Sequence, residues 1–434
     1  MKRRTLTSVV AGAAILALTL TGCGSAGNAV PEGSATMWTI SGATEPIIKE
    51  SVSRWNAAHE DESIKIDSFA DDAFKTKVRT AIGAGEGPTF IYGWGGGVLR
   101  DYVEAGEVED LTDFLKENPE VSERYLQSVL ATGQVDGKTY GLPNGANTPV
   151  MIYFNKKVFD DAGVTPPKTW DDLLKLVKVF NDKGIAPFSL GGQSKWPNLM
   201  WLQYLTDRIG GPEVFQAVID GKPGAWSNPA IIKALSMIQE LVDAGGFVNG
   251  FSSIAADSGA DRALLHTGKA AMLMQGAWAY PTFKTDAPQF VKDDNLGFAP
   301  FPTVAGGTGD PKNIVGNPSN FWSISSKATP EQKKAALAYL KDGMFDAEYT
   351  KQLIDTGSVP VVTGVEDQLK KSEDADFLTF TYNLASNAPH FQLSWDQALP
   401  SVQGDAMLTH LDQIFLKKIT PEEFATNMNK TLGK

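Results

Sequence analysis

The chain has 434 residues and is acidic, with 51 Asp and Glu residues against 39 Lys and Arg residues and a formal net charge of −12. This excess of negative charge would repel a phosphate backbone, so nucleic acid is not expected as a partner. A single cysteine excludes an internal disulfide. The hydrophobic content of 42% can supply a large core, which chains of this length usually divide between two domains.

The first 22 residues are typical of a cleaved secretory leader rather than of a fold element. Lys2, Arg3 and Arg4 give a positive start, and residues 9–20 form an apolar stretch that is too short to span a bilayer comfortably. Removing residues 1–22 moves the formal charge from −12 to −15.

The leader ends in Leu-Thr-Gly-Cys at residues 20–23. This run resembles the lipobox of bacterial lipoproteins, which implies that Cys23 takes a diacylglyceryl group and becomes the first mature residue. The alternative is an ordinary secretory signal with a chance cysteine. Residues 23–35, rich in Gly, Ser and Ala, then predict a flexible stalk. We therefore expect an extracytoplasmic protein that is anchored to the cell membrane through its N-terminal lipid.

The mature chain opens with strands and helices in alternation. Strands are predicted at residues 36–41, 63–68 and 89–92 from their alternating apolar residues. Apolar residues at helical spacing lie between them, first Ile48, Val52 and Trp55 and then Phe74, Val78 and Ile82. The βαβαβ order predicts an α/β fold with a parallel sheet flanked by helices.

Three later helices have clear start signals. At Thr169, Thr329 and Thr420 a hydroxyl residue precedes an acidic or amide residue by three positions, which is the pattern of a capping box.

Two stretches interrupt regular pairing and are predicted to cross between two lobes. They are residues 143–149 (PNGANTP) and 298–302 (FAPFP). Proline and glycine end strand pairing and concentrate rotation between rigid bodies at a few backbone torsions.

The order of these elements resembles the extracellular solute-binding proteins of family 1, the carbohydrate type that serves ATP-driven sugar importers. The resemblance is carried, in the same order over nearly all of the mature chain, by residues 87–94, 102–106, 111–112, 140–143, 152–156, 268–278 and 316–325. It implies a two-lobe periplasmic-binding-protein-like fold of type II, with a three-segment hinge and a ligand cleft between the lobes. On that basis lobe 1 comprises residues 36–146 and 303–328, and lobe 2 comprises residues 147–302 and 329–434.

Tryptophans are the first candidates for the ligand site, because an indole face can stack on the apolar face of a sugar ring. Trp94 follows a predicted strand and Trp278 follows the apolar run 270–274, which places both at strand ends, where open α/β sheets bind ligands. By resemblance to maltodextrin-type binding proteins, Trp94, Trp278 and Trp395 fall where that family has stacking aromatics. Trp196 is a further candidate, and each of the four has an alternative role in packing. We assign Trp38, Trp55, Trp170, Trp201 and Trp226 to packing because they lie within predicted elements or at their caps.

Polar candidates would bond the rim of sugar hydroxyls. Asp396 is preferred, since a carboxylate beside a stacking ring accepts two hydroxyls. The remaining candidates lie at strand ends, crossings or turns, where each has the alternative of closing a turn. They are Glu45, Asn144, Asn147, Gln193, Asn317 and Asn320.

Motifs of other chemistries are missing from the sequence. Residues 93–97 (GWGGG) lack the spacing of a dinucleotide fingerprint, and residues 137–139 (GKT) lack the first glycine of a P-loop. Four scattered histidines do not suggest a zinc site, so no metal and no cofactor are expected.

The function predicted from these features is capture of a short neutral oligosaccharide and its delivery to an ABC permease by a monomeric, non-enzymatic lipoprotein. Residues 92–97 (YGWGGG) resemble actinobacterial, and hence Gram-positive, binders of short β-linked oligosaccharides, among which xylobiose or a xylo-oligosaccharide is the first choice. The alternatives are a secreted glycoside hydrolase, which needs two facing carboxylates about 5 to 9 Å apart, and a surface carbohydrate sensor.

Overall fold

A computed structural model describes residues 33–433 of the chain. The predicted signal peptide (1–22), the predicted lipidation site Cys23 and most of the predicted stalk lie outside the described residues. The stalk prediction extends to residue 35, but Ala35 is buried in a core and begins the first strand.

The first part of the chain builds most of lobe 1. Its strands and helices are β1 (Ala35–Ile40), α1 (Glu45–Ala58), β2 (Ile64–Phe69), α2 (Asp71–Gly83), β3 (Phe90–Gly93), α3 (Gly96–Glu104), α4 (Thr112–Glu117), α5 (Pro119–Glu123), α6 (Gln127–Leu130), β4 (Gln134–Val135), β5 (Lys138–Thr139) and β6 (Leu142–Pro143).

The chain then crosses into lobe 2. The elements there are β7 (Ala146–Asn155), α7 (Lys156–Ala162), α8 (Trp170–Asp182), β8 (Ala186–Ser189), α9 (Trp196–Gly210), α10 (Glu213–Ile219), α11 (Pro229–Asp243), α12 (Ala260–His266), β9 (Ala270–Gly276), α13 (Ala279–Asp286), α14 (Pro288–Lys292), β10 (Leu296–Ala299) and β11 (Ile314–Asn317).

The last part of the chain contributes to both lobes. It returns to lobe 1 at β12 (Phe321–Ile324) and ends in lobe 2. The remaining elements are α15 (Pro330–Ala338), α16 (Ala347–Asp355), β13 (Val359–Pro360), α17 (Glu366–Lys371), α18 (Ala375–Ser386), β14 (Phe391–Leu393), α19 (Trp395–Ala398), α20 (Ser401–Phe415) and α21 (Pro421–Asn429).

Each lobe is built on one mixed sheet. In lobe 1 the strand order is β2-β1-β3-β12-β6, with β1 parallel to β2 and β3 and with β12 antiparallel to β3 and β6. In lobe 2 the order is β14-β11-β7-β9-β8, with β10 and β13 also paired to β7. The predicted α/β fold class and the parallel β1–β3 unit are therefore confirmed.

The start signals of the three later helices are also confirmed. At Thr169, Thr329 and Thr420 the threonine hydroxyl accepts a hydrogen bond from the backbone three residues on, and the side chain at that later position accepts one in return. These caps form because both partners lie within one turn, so local sequence is enough to specify them.

The crossings differ from the prediction at one of two places. The chain first crosses from lobe 1 to lobe 2 at residues 144–145, between β6 and β7. This crossing lies inside the predicted segment 143–149. Residues 298–302 do not cross, because β10 pairs with β7 inside lobe 2 and Phe301 is buried in the lobe 2 core. The second crossing is instead at residues 318–320, between β11 and β12.

Lobe membership changes accordingly. Residues 303–317 were predicted in lobe 1, but Val315 belongs to the lobe 2 core. The segment that follows residue 329 was predicted in lobe 2, but Tyr339, Leu340 and Leu353 are buried in the lobe 1 core with the first three strands. The third crossing lies near α18, where Leu378 packs in lobe 1 and Phe377 packs on the lobe 2 sheet.

The two lobes touch each other beyond these crossings. Arg79 on α2 forms an ion pair of 2.9 Å with Asp405 on α20, and the backbone amide of Ser401 donates to Asp101 at 2.7 Å. The backbone at Gly97 lies against α19, so that a Cβ added there would be 2.4 Å from the carbonyl carbon of Leu399. The close approach at this position requires a glycine.

Candidate functional site

The carboxyl ends of strands from both sheets meet between the lobes. In lobe 1, Glu45, Asp71 and Trp94 follow the ends of β1, β2 and β3. In lobe 2 the residues that follow β8, β9 and β14, or that end β11, are Trp196, Trp278, Trp395 and Asn317. Open α/β sheets bind ligands at this edge because their loops and helix starts converge there.

Trp94 is the aromatic side chain that lobe 1 contributes. It is 9% exposed, and Tyr92 and Phe74 pack edge to face with it at ring-centroid distances of 5.4 and 6.4 Å. The ammonium group of Lys75 on α2 lies 5.2 Å from the Trp94 ring centroid.

Trp278 is held in place from lobe 2. Its indole Nε1 donates to the side-chain oxygen of Gln275 at 3.1 Å, and the Gln275 amide donates to Asp261 at 3.0 Å. The ring lies directly over Gly276, where a Cβ would be 2.0 Å from the indole. The absence of a side chain at Gly276 is therefore needed for this ring orientation. Asp261 ends the series of hydrogen bonds that runs from Trp278 through Gln275, and burial raises the pKa of its carboxyl.

Trp196 lies beside Trp278, with ring centroids 5.9 Å apart and planes at 66°. It begins α9, and the residue before it, Lys195, has a φ of 62°, which turns the chain sharply into the helix. Trp94, Trp196 and Trp278 form what we call the indole cluster. The structure thus brings three of the four candidate tryptophans together from both lobes.

Lys75 joins the two halves of this cluster. Its ammonium group is 5.2 Å from the Trp94 centroid and 5.8 Å from the Trp196 centroid, and it forms an ion pair of 2.7 Å with Asp71. Burial alone would lower the pKa of this ammonium, but the Asp71 and Asp396 carboxylates raise it above its usual value. Lys75 is therefore a permanent positive charge between aromatic side chains.

Sequence reasoning missed Lys75 and Asp71. Both lie on the helix that follows the end of β2, so the strand-end argument that selected Trp94 would also have selected them. Their i, i+4 spacing with opposite charge was a second available signal.

Trp395 does not belong to the cluster, and the structure corrects its predicted stacking role. The side chain is 1% exposed, and its ring lies parallel to Phe215 at a centroid distance of 4.1 Å and an angle of 3°. Trp226 packs on it edge to face at 6.1 Å. The ring is part of the lobe 2 core, which its polar sequence neighbours did not reveal.

Asp396, the next residue, faces the cleft instead of the core. It is partly exposed, accepts hydrogen bonds from Ser394 at 2.7 Å and Gln397 at 2.9 Å, and interacts electrostatically with Lys75 in the other lobe. Its carboxylate thus lies on the lobe 2 side of the same cleft.

Glu45 and Gln193 lie on opposite sides of the cleft. The Glu45 carboxylate pairs with Lys49 at 2.6 Å. Burial would raise its pKa, but hydrogen bonds from Lys49 and Ser68 lower it below the usual value. Gln193 is exposed in the loop before α9.

The four asparagine candidates lie at the crossings. Asn144 is 2% exposed, and its backbone amide donates to the carbonyl of Asn320 at 2.8 Å. Asn147 pairs across from Val359, and the Asn317 carbonyl accepts from Thr148 at 2.8 Å. Within residues 33–433, three of these side chains have a buried amide atom without a hydrogen-bond partner, namely Asn144 Nδ2, Asn147 Oδ1 and Asn317 Oδ1.

Three carboxylates also meet across the lobe boundary. Asp71, Asp72 and Asp257 offer oxygen atoms within 4.8 Å of one another. Ser194 donates to Asp72 at 2.7 Å, and the Asp72 amide donates to Asp257 at 3.1 Å, so these groups act as lobe contacts. Burial and then the nearby Asp257 charge raise the pKa of the Asp72 carboxyl.

A separate cavity of about 290 Å³ lies in lobe 2 between α13, α14 and α18. It shares no residue with the indole cluster. Among its charged side chains, Lys284 forms an ion pair with Asp374, and Lys156 forms one with Asp294.

Comparison with known proteins agrees with this architecture. The family model described as bacterial extracellular solute-binding protein matches residues 39–341. A protein of Mesorhizobium japonicum named "Probable sugar-binding periplasmic protein" is 27% identical over 339 residues, covering 76% of this chain and 75% of the relative. The family is one of binding proteins rather than enzymes, in line with the sequence-based expectation.

Solved structures extend the similarity to nearly the whole fold. One comes from a study of xylan utilization by the thermophilic bacterium Caldanaerobius polysaccharolyticus, with a TM-score of 0.82 and 28% identity, covering 92% of this chain and all of that one. Another is a chitin oligosaccharide binding protein, with a TM-score of 0.81 and 27% identity, covering 92% and 98% of the two chains. The two-lobe fold predicted from the sequence is therefore confirmed.

The described part of the chain was also searched for membrane spans. Between residues 33 and 433, no helix combines the length and the apolar character that a bilayer crossing requires.

The packing of Trp395 leads to the first prediction. Trp395→Ala should lower the free energy of unfolding by about 3 to 5 kcal/mol, because it leaves a cavity against Phe215 and Trp226. Denaturant unfolding measures this loss, and Trp278→Ala is the matched control that should cost much less stability. Equal stability losses for the two variants would contradict the assignment of Trp395 to the core.

Proposed function

The chain belongs to the family of bacterial extracellular solute-binding proteins, and on that premise we propose that it captures a short neutral oligosaccharide for an ABC importer. Xylobiose or a xylo-oligosaccharide is the proposed ligand. The observation that carries the proposal is the indole cluster, in which aromatic rings from both lobes meet between the carboxyl ends of two sheets.

The chemistry of the cleft suits a carbohydrate. Indole faces cover the apolar C–H faces of sugar rings, while carboxylates and amides accept and donate at the hydroxyl rim. Asp396 and Gln193 on lobe 2, Glu45 on lobe 1 and the amides of Asn144, Asn147 and Asn317 at the crossings supply that polar rim in the proposal. Several aromatic side chains favour a ligand of two or three rings over a monosaccharide.

The charge of the cleft argues for a neutral ligand. The carboxylates of Asp71, Asp396 and Asp72 all act on the single ammonium group of Lys75, so acidic groups outnumber the cation there. An anionic ligand would meet repulsion from these groups. The similarity to a protein from a xylan-utilization study and to a chitin oligosaccharide binding protein supports a β-linked sugar.

Capture is proposed to work through lobe closure. A ligand that contacts Trp94 in lobe 1 and Trp278 in lobe 2 at once binds the closed arrangement better than an open one. It shifts the equilibrium towards closure by that difference in affinity. The permease then recognises the closed form, and Cys23 is proposed to tether the monomeric protein to the membrane through its lipid.

Binding of xylobiose is the direct test of the ligand class. Isothermal titration calorimetry should give micromolar or tighter affinity, about −8 kcal/mol, with the sugar returned unchanged. Trp278→Ala should lose about 2 kcal/mol of binding free energy, as expected for a central aromatic anchor. The control is Trp38→Ala, since Trp38 lies within β1, packs on Phe69 in lobe 1 and is not part of the indole cluster. Micromolar binding of an amino acid or a uronic acid, with neutral disaccharides inert, would overturn the ligand class.

Closure has its own test at Gly97. Xylobiose should reduce the radius of gyration of the wild-type protein in small-angle scattering. Gly97→Ala should prevent this compaction, because the added methyl group would collide with the Leu399 backbone. Gly93→Ala is the control, since a Cβ at that position meets nothing within 4 Å. Compaction of Gly97→Ala to the wild-type value would refute the proposed contact in the closed form.

The tether is tested by Cys23→Ser in the full-length protein. The variant should fold normally, and it should either be released from the cell or accumulate with an uncleaved leader. Cell fractionation and mass spectrometry of the N-terminus distinguish these results. Normal processing with unchanged, detergent-dependent membrane attachment would rule out lipidation at Cys23.

A further inference from the structure

Lys75 occupies a place in the cleft that resembles a binding site for an ammonium group. Its Nζ atom lies within 6 Å of the Trp94 and Trp196 ring centroids and 2.7 Å from an Asp71 oxygen. Asp396 contributes a second carboxylate from the opposite lobe. Aromatic rings combined with carboxylates are the chemistry by which proteins bind organic cations.

A second lysine shows that the arrangement at Lys75 is particular to the cleft. Lys77, two residues further along α2, also lies over aromatic rings, at 4.8 Å from Trp38 and 5.0 Å from Phe69. Both of these rings belong to lobe 1, and the Lys77 side chain lies at the surface. Lys75 differs because its rings come from both lobes and its neighbouring carboxylates do as well.

We propose that Lys75 is an internal ligand, whose ammonium group fills the position that a protonated amine on a bound sugar would otherwise take. The residue would thereby set the preference of the cleft for neutral sugars over amine-bearing ones. This inference rests on the proposed function for the location of the ligand, and it adds the residue that determines the charge the ligand carries.

Two physical effects produce this preference. The first is occupancy, since the ring faces and the Asp71 oxygen that would attract an amine are already engaged by Lys75. The second is repulsion between two ammonium groups in a partly buried site, where charge interactions are stronger than in water. A neutral hydroxyl beside Lys75 carries no charge to be repelled, and it can accept a hydrogen bond from the lysine ammonium.

Shortening Lys75 should therefore open the position to a protonated amine. In Lys75→Ala the two indole faces, Asp71 and Asp396 remain, and the lysine cation is removed. Alanine is a strong helix former, and the Lys75 side chain is 25% exposed, so the helix should tolerate the change.

The experiment compares two disaccharides that differ in charge at matching positions. Cellobiose is the neutral ligand, and the β-1,4-linked dimer of glucosamine is the cationic one, in a mildly acidic buffer where its amines are protonated. Calorimetry with the mature protein gives the ratio of the two affinities. We expect the wild-type protein to favour cellobiose, and Lys75→Ala to shift the ratio at least ten-fold towards the glucosamine dimer.

Three further variants make the result specific. Lys75→Arg keeps a cation at the position and should keep the wild-type ratio, and Lys77→Ala removes a ring-bound lysine outside the cleft and should also keep it. Lys75→Gln removes the charge but keeps most of the side chain, and it should shift the ratio in the same direction as alanine. It serves as the test if Lys75→Ala has a lower melting temperature.

The outcomes separate this inference from the proposed function. An unchanged ratio in Lys75→Ala and Lys75→Gln, or an equal shift in Lys77→Ala, overturns the inference while neutral-sugar binding by the wild-type protein still stands. A gain of glucosamine-dimer binding in Lys75→Ala supports the inference even if the wild-type protein binds no neutral disaccharide, which would refute the ligand class alone. If neither Lys75→Ala nor Lys75→Gln binds cellobiose or the glucosamine dimer, the inference is wrong.

Discussion

Pairing along β7 is the constraint on which the geometry of the cleft depends. This strand begins at the first crossing, where Asn147 pairs with Val359. Further along, it pairs with β11, β9 and β10. Almost every residue of the strand is buried, and such a strand is held in register by apolar packing on both faces. The position of the lobe 2 sheet edge relative to the crossings is therefore fixed.

The charged groups at the lobe boundary follow from that fixed geometry. Lobe 1 presents Asp71, Asp72 and Lys75 on one helix, and lobe 2 presents Asp257 and Asp396 towards them. With Lys75 in place, two carboxylates from opposite lobes share one ammonium group, which reduces the repulsion of bringing the lobes together. The acidic character of the sequence thus has a local consequence, since lobe contact places like charges close to one another and needs a cation between them.

Local sequence signals correctly predicted the features whose interacting residues are close together in the chain. The capping boxes at Thr169, Thr329 and Thr420 and the parallel strands β1 to β3 involve partners one turn away or in adjacent elements. Strand-end positions likewise selected Trp94 and Trp278, because the end of a strand and the edge of a sheet are the same place.

Features set by distant packing were missed or misassigned. Asp396 and Gln397 make the context of Trp395 look polar, and nothing nearby in the sequence shows that Phe215 covers the ring. The prolines at residues 300 and 302 follow the end of β10, but they do not reveal that the next segment stays in lobe 2. Lys75 follows the core residue Phe74 on α2, and nothing nearby in the sequence shows that the Trp196 ring of lobe 2 lies against its ammonium group.

A crystal structure of the protein with bound xylobiose would test the central claim most directly. The account predicts electron density for the sugar between the carboxyl ends of the two sheets, with one ring against Trp278 and contact to Trp94, and with the Lys75 ammonium still paired with Asp71. Density for xylobiose in the lobe 2 cavity beside Lys284, or against one lobe only with the indole cluster unchanged, would contradict it.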